Sequence, residues 1–307
     1  MFIKQAIRKQ NKFWKYLLGS AVIITMSFIG QIPLVITVLV KTALTGENYP
    51  MTNEGVMHFL DSNLTFFLIL LSFVFAFAGI YFVVNYMHKQ TMLSLTTSRK
   101  KIDWNRIWFS FGLWAIISIV SVLVYVFLNP ELYVFNFKPI PFTILFVIAV
   151  LLIPIQTSTE EYVFRGYLMQ GFANLAQNRW FPLVMTSLIF GGMHLFNPEV
   201  AKIGNIIFVY YIGTGLFLGI ITLMDDGMEL ALGFHAANNL IGALLVTSDW
   251  SAFQTNSIFK DLSVPNAGFD IIMPVVLIYP VLLLIFSRKY QWKNWKEKLT
   301  GTIDSKH

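Results

Sequence analysis

The chain contains no cysteine. That removes disulfides, thiolate zinc sites and cysteine nucleophiles, and it leaves the redox compartment unread. Charge is also scarce: Asp, Glu, Lys and Arg make up 12% of 307 residues, while 56% are hydrophobic. Soluble domains carry about 25% charged residues, so this composition excludes that class and predicts an integral membrane protein. No small-residue A-x-A-like cleavage site follows the basic start "MFIKQAIRKQNKFWK" and the apolar run behind it, so the expectation is a retained anchor and not a removed signal peptide. There is no Pro/Gly-rich linker, and neither the inverted nor the parallel repeat that marks many transporters is present.

Long apolar runs are what the chain does have. Eight approach spanning length, at 16–40, 64–87, 107–128, 141–170, 181–197, 204–224, 230–247 and 271–287, against the ~20 residues a bilayer requires. An even number of crossings puts both termini on one side. The Lys and Arg residues then choose the side. The N-terminus (Lys4, Arg8, Lys9, Lys12, Lys15), the second loop (Lys89, Arg99, Lys100, Lys101, Arg106), the fourth (Arg165, Arg179) and the tail (Arg288, Lys289, Lys293, Lys296, Lys298, Lys306) hold all but Lys41, Lys138, Lys202 and Lys260. By the positive-inside rule both termini are expected in the cytoplasm, with the protein in the cell membrane. The net charge of +6 therefore reflects orientation, and no nucleic-acid partner is expected. The loop "MDDGME" at 224–229 is out of character, with three acids and no base, although acids count little in that rule. The basic, aromatic tail "RKYQWKNWKEKLTGTIDSKH" reads as an interfacial anchor on anionic lipid. The expected fold class is all-α: a polytopic membrane protein of about eight transmembrane helices with a polar cavity. Three stretches organise it: residues 1–130 with three helices, a helical core over 131–250, and the last helix with its tail over 251–307.

Few strongly polar side chains enter these runs. A charge at bilayer depth costs ~2.5–3.5 kcal/mol on insertion scales, so one that is present faces the protein interior and serves a purpose. Of five histidines only His194 and His235 lie in apolar segments, joined there by Glu160, Glu161, Arg165, Asn238 and Asn239. Residues four apart share a helix face, so Glu161 pairs with Arg165 while Glu160, turned about 100° away, is the free carboxylate. His235 and Asn239 share a face, as do Phe190 and His194, and Gly191 with Gly192 removes bulk beside them. Pro154 withholds a donor from the Val150 carbonyl and predicts a kink near the site. Asn238 lies off the His235 face and reads as structural, and the spacing of Gly215 and Gly219 reads as helix packing.

A carboxylate, two imidazoles and an amide in a sheltered site suit hydrolysis. Glu160 would take a proton from water as general base. An imidazole and the Asn239 amide can donate to the resulting oxyanion. Taken singly, each element has a plainer explanation. An isolated Glu161–Arg165 pair is more often structural, and a lone histidine more often a satisfied interhelical group. The coincidence of three polar helices is what calls for a function.

Written as patterns, E-E-x-x-x-R (Glu160, Glu161, Arg165), F-x-x-x-H (Phe190, His194) and H-x-x-x-N (His235, Asn239) follow in order, 34 residues from Glu160 to His194 and 41 more to His235. Over residues 140–245 the ordered set resembles the CPBP family, also called the Abi or CAAX-protease family, which includes the Ras-converting CAAX endopeptidase of the endoplasmic reticulum. The Gly-rich "GTGLFLGIITL" adds to the likeness. The resemblance implies an intramembrane endopeptidase acting on a membrane-associated protein or peptide. Glu160 would activate the water, His194 assist it, and His235 with Asn239 stabilise the oxyanion, while Glu161, Arg165 and Phe190 support the site. The family carries both metalloprotease and glutamate-protease readings. No cofactor is the expectation here, and zinc held by Glu160, His194 and His235 is the alternative, the compact H-E-x-x-H pattern being absent. Two other classes compete: a catalytically silent scaffold for a membrane partner, and a proton-coupled transporter using the same polar groups as a relay.

Overall fold

A computed structural model describes residues 2–6, 11–265 and 267–303. Arg8, Lys9 and Lys306 of the charge census, and His307, lie outside the described residues. Eight principal helices follow the eight apolar runs: α1 (Phe13–Thr45), α2 (Ser62–Met87), α3 (Trp104–Leu128), α4 (Pro139–Ala176), α5 (Trp180–Met193), α6 (Ile207–Asp225), α7 (Glu229–Leu245) and α8 (Ile271–Tyr290). All but α5 and α7 are long and apolar enough to cross a membrane, so the chain is an all-α, polytopic membrane protein.

The two shorter helices depart from the predicted spans for local reasons. Helix α5 has 14 residues, about 21 Å at 1.5 Å per residue, less than the ~30 Å hydrocarbon core. It stops at His194 instead of running to 197, because the chain turns there and Pro198 opens a separate short helix, Pro198–Ile203. Helix α7 ends at Leu245 because Val246–Ser248 becomes a strand, β2. It pairs in parallel with β3 (Phe259–Asp261), which pairs antiparallel with β1 (Tyr133–Phe135). Strands of three residues are too short for alternation to register in a sequence, and the all-helical expectation missed this small sheet.

Helices α4 and α7 hold the centre. Phe66 and Leu70 of α2 pack on Leu145, Ala149 and Ile153 of α4 and on Ala243 of α7. On the other flank of α7, Trp114 of α3, Phe217 and Leu218 of α6, Phe234 of α7 and Tyr279 and Phe286 of α8 form the largest aromatic core. Ser110 Oγ–H donates to the Leu230 carbonyl at 2.7 Å and draws α3 against α7. Pro154 lies inside the continuous helical stretch Pro139–Glu161. Immediately after it, Tyr162–Leu168 widens into a π-turn that contains Arg165. Such turns insert extra backbone into a helix and recur where side chains are re-aimed for function.

The acidic loop that fitted the charge census worst turns out to be a receptor for its bases. Arg99 reaches Asp225 at 2.9 Å and Glu229 at 3.0 Å, Arg106 also pairs with Asp225, and Lys298 of the tail meets Asp226 at 2.7 Å. Trp292 Nε1–H donates to Asp225 as well, and the Phe2 amide donates to Asp226. The N-terminal segment, the second loop, the 224–229 loop and the tail are thus gathered at one end of the bundle. The three-stranded sheet and Lys41, paired with Glu47 at 3.6 Å, lie at the other.

Candidate active site

The site begins with Glu160 and Glu161, the last two residues of the first helical stretch of α4. Glu161 and Arg165 are both fully buried and pair at 3.0 Å, as their i, i+4 spacing requires. Arg165 extends a second nitrogen to the Gly215 carbonyl at 3.3 Å, and its guanidinium lies 4.4 Å from the centre of the Phe190 ring. Gly215 also lets α6 approach α5: a Cβ there would sit 2.9 Å from Ser187 Cα. The spacing of Gly215 and Gly219 is therefore helix packing, as expected, with the addition that close approach puts a backbone acceptor within reach of Arg165.

His235 binds the two carboxylates together. Its Nδ1 stands 2.7 Å from Glu161 Oε1, and its Nε2 stands 3.6 Å from Glu160 Oε2. An ionised carboxylate only accepts, so the hydrogen between His235 and Glu161 belongs to Nδ1. The imidazole is then oriented by a carboxylate that is itself held by a guanidinium, and its other face is turned to Glu160. Spacing alone did not find this contact, because it joins residues 74 apart in the chain.

Glu160 is not the free carboxylate that its helical position suggested. Gln156, one turn earlier and 2% exposed, donates from Nε2 to Glu160 Oε1 at 2.6 Å. The oxygen of the same amide accepts from Asn239 Nδ2 at 2.9 Å. Gln156 was missed in the sequence because a single glutamine in an apolar helix has no distinctive neighbour. Its position four residues before Glu160 was the available signal.

His194 closes α5. Its Nδ1 lies 2.7 Å from the Phe190 carbonyl, which can only accept, so in the neutral ring Nε2 carries the lone pair. The imidazole stacks on Tyr211 of α6, with centroids 4.2 Å apart, which limits its rotation. Tyr211 had no sequence signal. Phe190 brings the three motifs around one ring: its centroid is 4.9 Å from that of His194 and 6.1 Å from that of His235, with Arg165 over its face. The neighbouring glycines divide their roles. A Cβ on Gly191 would meet Ile212 at 2.5 Å, whereas Gly192 has open space beside it.

The zinc alternative requires Glu160, His194 and His235 to converge on one point. Among the described residues no group of three or more His, Asp or Glu side chains is gathered closely enough to hold an ion. Each Nδ1 is engaged, that of His235 with Glu161 and that of His194 with a carbonyl, a pattern that also occurs in metal-binding histidines, where Nε2 is the ligand atom.

Comparison with known proteins follows the same outline. Residues 139–241 match the family described as "Type II CAAX prenyl endopeptidase Rce1-like". This is the stretch that carries the three motifs, and the resemblance read from them holds. The chain is also 28% identical over 249 residues to "Uncharacterized protein YyaK" of Bacillus subtilis (strain 168), across 80% of this chain and 82% of that protein. No solved structure matches.

Proposed function

We propose, from an Rce1-like segment spanning residues 139–241, that the chain is an intramembrane endopeptidase. It hydrolyses a peptide bond of a membrane-associated protein or peptide from the end of the bundle where the basic loops gather, with that end and both termini in the cytoplasm of a cell-membrane protein. The observation that carries the reading is the pairing of Glu160 Oε2 with His235 Nε2 at 3.6 Å. This is too long for a direct hydrogen bond and short enough for both atoms to address one small reactant.

In this mechanism Glu160 accepts a proton from water as the water oxygen attacks the carbonyl carbon. His194, with its lone pair on Nε2, orients that water. The tetrahedral oxyanion takes hydrogen bonds from His235 and from Asn239. The Asn239 amide has two hydrogens; one is given to Gln156, and the other serves the oxyanion. With Nδ1–H given to Glu161, His235 serves the oxyanion through a hydrogen on Nε2. Collapse of the intermediate breaks the C–N bond, and the proton on Glu160 passes to the leaving amine. Gly192 leaves the approach beside His194 unobstructed. No step is routed through a metal.

The test compares membrane peptidomes of a deletion strain rescued by wild type and by Glu160→Gln. The amide keeps the shape but cannot take the proton, so an uncleaved precursor should accumulate only with the variant. Equal rescue, with no accumulating precursor, would reject the protease reading in favour of a scaffold.

A further inference from the structure

We propose that Gln156, Asn238 and Trp114 are positioning residues that reserve Glu160 Oε2 for chemistry by occupying Oε1, an inference that rests on the general-base reading of Glu160. Four hydrogen bonds run in series from α3 through α7 to α4. Trp114 Nε1 donates to Asn238 Oδ1 at 3.1 Å, Asn238 Nδ2 to Asn239 Oδ1 at 3.0 Å, Asn239 Nδ2 to Gln156 Oε1 at 2.9 Å, and Gln156 Nε2 to Glu160 Oε1 at 2.6 Å.

The direction of this series is set by its ends. An indole N–H can only donate and an ionised carboxylate can only accept. If Trp114 donates to Asn238, the Asn238 amide must turn its nitrogen to Asn239, which must turn its own to Gln156, which must turn its own to Glu160. Starting from Glu160 and working back gives the same three orientations. Flipping any one amide would set oxygen against oxygen or nitrogen against nitrogen at two contacts. The three amides therefore have one consistent arrangement. Their dipoles point the same way, which strengthens each bond in the series. The last bond, to a charged acceptor, is also the shortest.

The consequence falls on the two oxygens of Glu160. Oε1 is held as an acceptor and cannot carry a proton toward Gln156. A proton gained in catalysis must go to Oε2, the oxygen facing His235. The other ionisable groups of the cluster, Glu161 and Arg165 on α4, His235 on α7 and His194 at the end of α5, bear on Glu160 through charge, whereas the amide series fixes its rotamer. Asn238, which its helical position marks as structural, is in this arrangement the link between the aromatic core and the base.

Purified full-length protein labelled with ¹³C at its glutamate carboxylates provides the test. The infrared difference between wild type and Glu160→Gln isolates the Glu160 band. Gln156→Leu, which removes the last bond, should move that band and lower kcat about 10- to 100-fold with KM within about twofold. Trp114→Phe keeps an aromatic ring against Phe234 but removes the indole N–H. It should move the Glu160 band in the same direction by less, although it lies four hydrogen bonds away, and it keeps the question open to test if Gln156→Leu fails to fold. A Glu160 band unmoved by both folded variants overturns the inference, as does a raised KM with unchanged kcat. Peptide cleavage by Glu160→Gln is a different failure: it removes the general-base reading, and the band measurement still reports whether the series holds the carboxylate.

Discussion

Glu161 Oε1 lies 3.0 Å from Arg165 Nη1 and 2.7 Å from His235 Nδ1, so one buried oxygen holds both a guanidinium and an imidazole. Its companion Oε2 has no protein partner among the described residues. This is an expensive arrangement in a membrane interior, and it works only while both partners remain. Glu161→Gln should strand Arg165 and release His235 together. Removing one member of a buried pair costs about 3–5 kcal/mol, so thermal unfolding in detergent should drop sharply along with activity. Glu160→Gln, which breaks no ion pair closer than 3.6 Å, should lose activity with little change in unfolding temperature. Equal stability losses in the two variants would contradict this division of roles.

Asp225 offers a second stability test, remote from the chemistry. It is 5% exposed and receives Arg99, Arg106 and the Trp292 indole. Asp225→Asn should free the second loop from α6 and expose the tail contact. The loss should fall toward the lower end of the ~3–5 kcal/mol for breaking a buried pair, because both guanidinium groups are partly reached by water. Limited proteolysis around 98–106 and near 290 should accelerate in the variant, and unchanged cleavage would show that the clamp contributes little.

What the sequence revealed and what it hid follow from the range of each interaction. The eight apolar runs were legible because lipid demands length and hydropathy from each helix separately, and the Glu161–Arg165 pair because it lies within one turn. His235 with Glu161, Asn239 with Gln156 and His194 with Tyr211 join separate helices, and no spacing rule reaches across the fold. The acid run 224–229 looked anomalous against the positive-inside rule for the same reason. Its neutralising partners, Arg99, Arg106 and Lys298, are supplied by two other segments. The end of α5 was misjudged because Leu195 and Phe196 prolong the apolar pattern after the helix has already turned at His194.

A pH effect on stability should come from His88, just beyond α2. The ring is buried between Asn11 and Tyr167, at 3.1 and 3.0 Å, and burial, with the Lys15 charge adding to it, pushes its pKa down to about 4 from an ordinary 6.5. In the folded state the ring stays neutral between those values, whereas the unfolded chain takes up a proton. Stability should therefore be fully present above about pH 6.5 and fall as pH drops toward 4, with a slope of up to about 1.36 kcal/mol per unit from this group. Comparing unfolding in wild type and His88→Gln isolates the term. If His88→Gln retains the full slope between pH 6.5 and 4, the dependence arises elsewhere.

Metal dependence separates the two chemistries open to this site. With Glu160 as the base that activates water, activity should survive strong chelators, and elemental analysis should find well below one zinc per chain. Activity lost on chelation and restored by one equivalent of zinc would require His194, His235 and Glu160 to rearrange into ligands, with the ion activating the water in place of the carboxylate.

Asn239 is where the mechanism is most exposed to test, because the structure gives its amide two tasks. One hydrogen goes to Gln156 at 2.9 Å, and the other is available to an oxyanion. Asn239→Ala removes both. Loss of a single oxyanion donor lowers kcat by about 10²- to 10³-fold, and the interaction exists mainly in the transition state, so KM should change little. Asn239→Asp separates the tasks. Its carboxylate can still accept from Asn238 but has no hydrogen for either the oxyanion or Gln156, so it should be at least as impaired as alanine despite its closer shape. A purely structural asparagine, including one that only donates to Gln156, predicts that both variants lose thermal stability without a selective loss of kcat. Measuring kcat, KM and unfolding temperature for the two variants side by side decides between an amide that stabilises developing charge and one that only spaces α7 from α4.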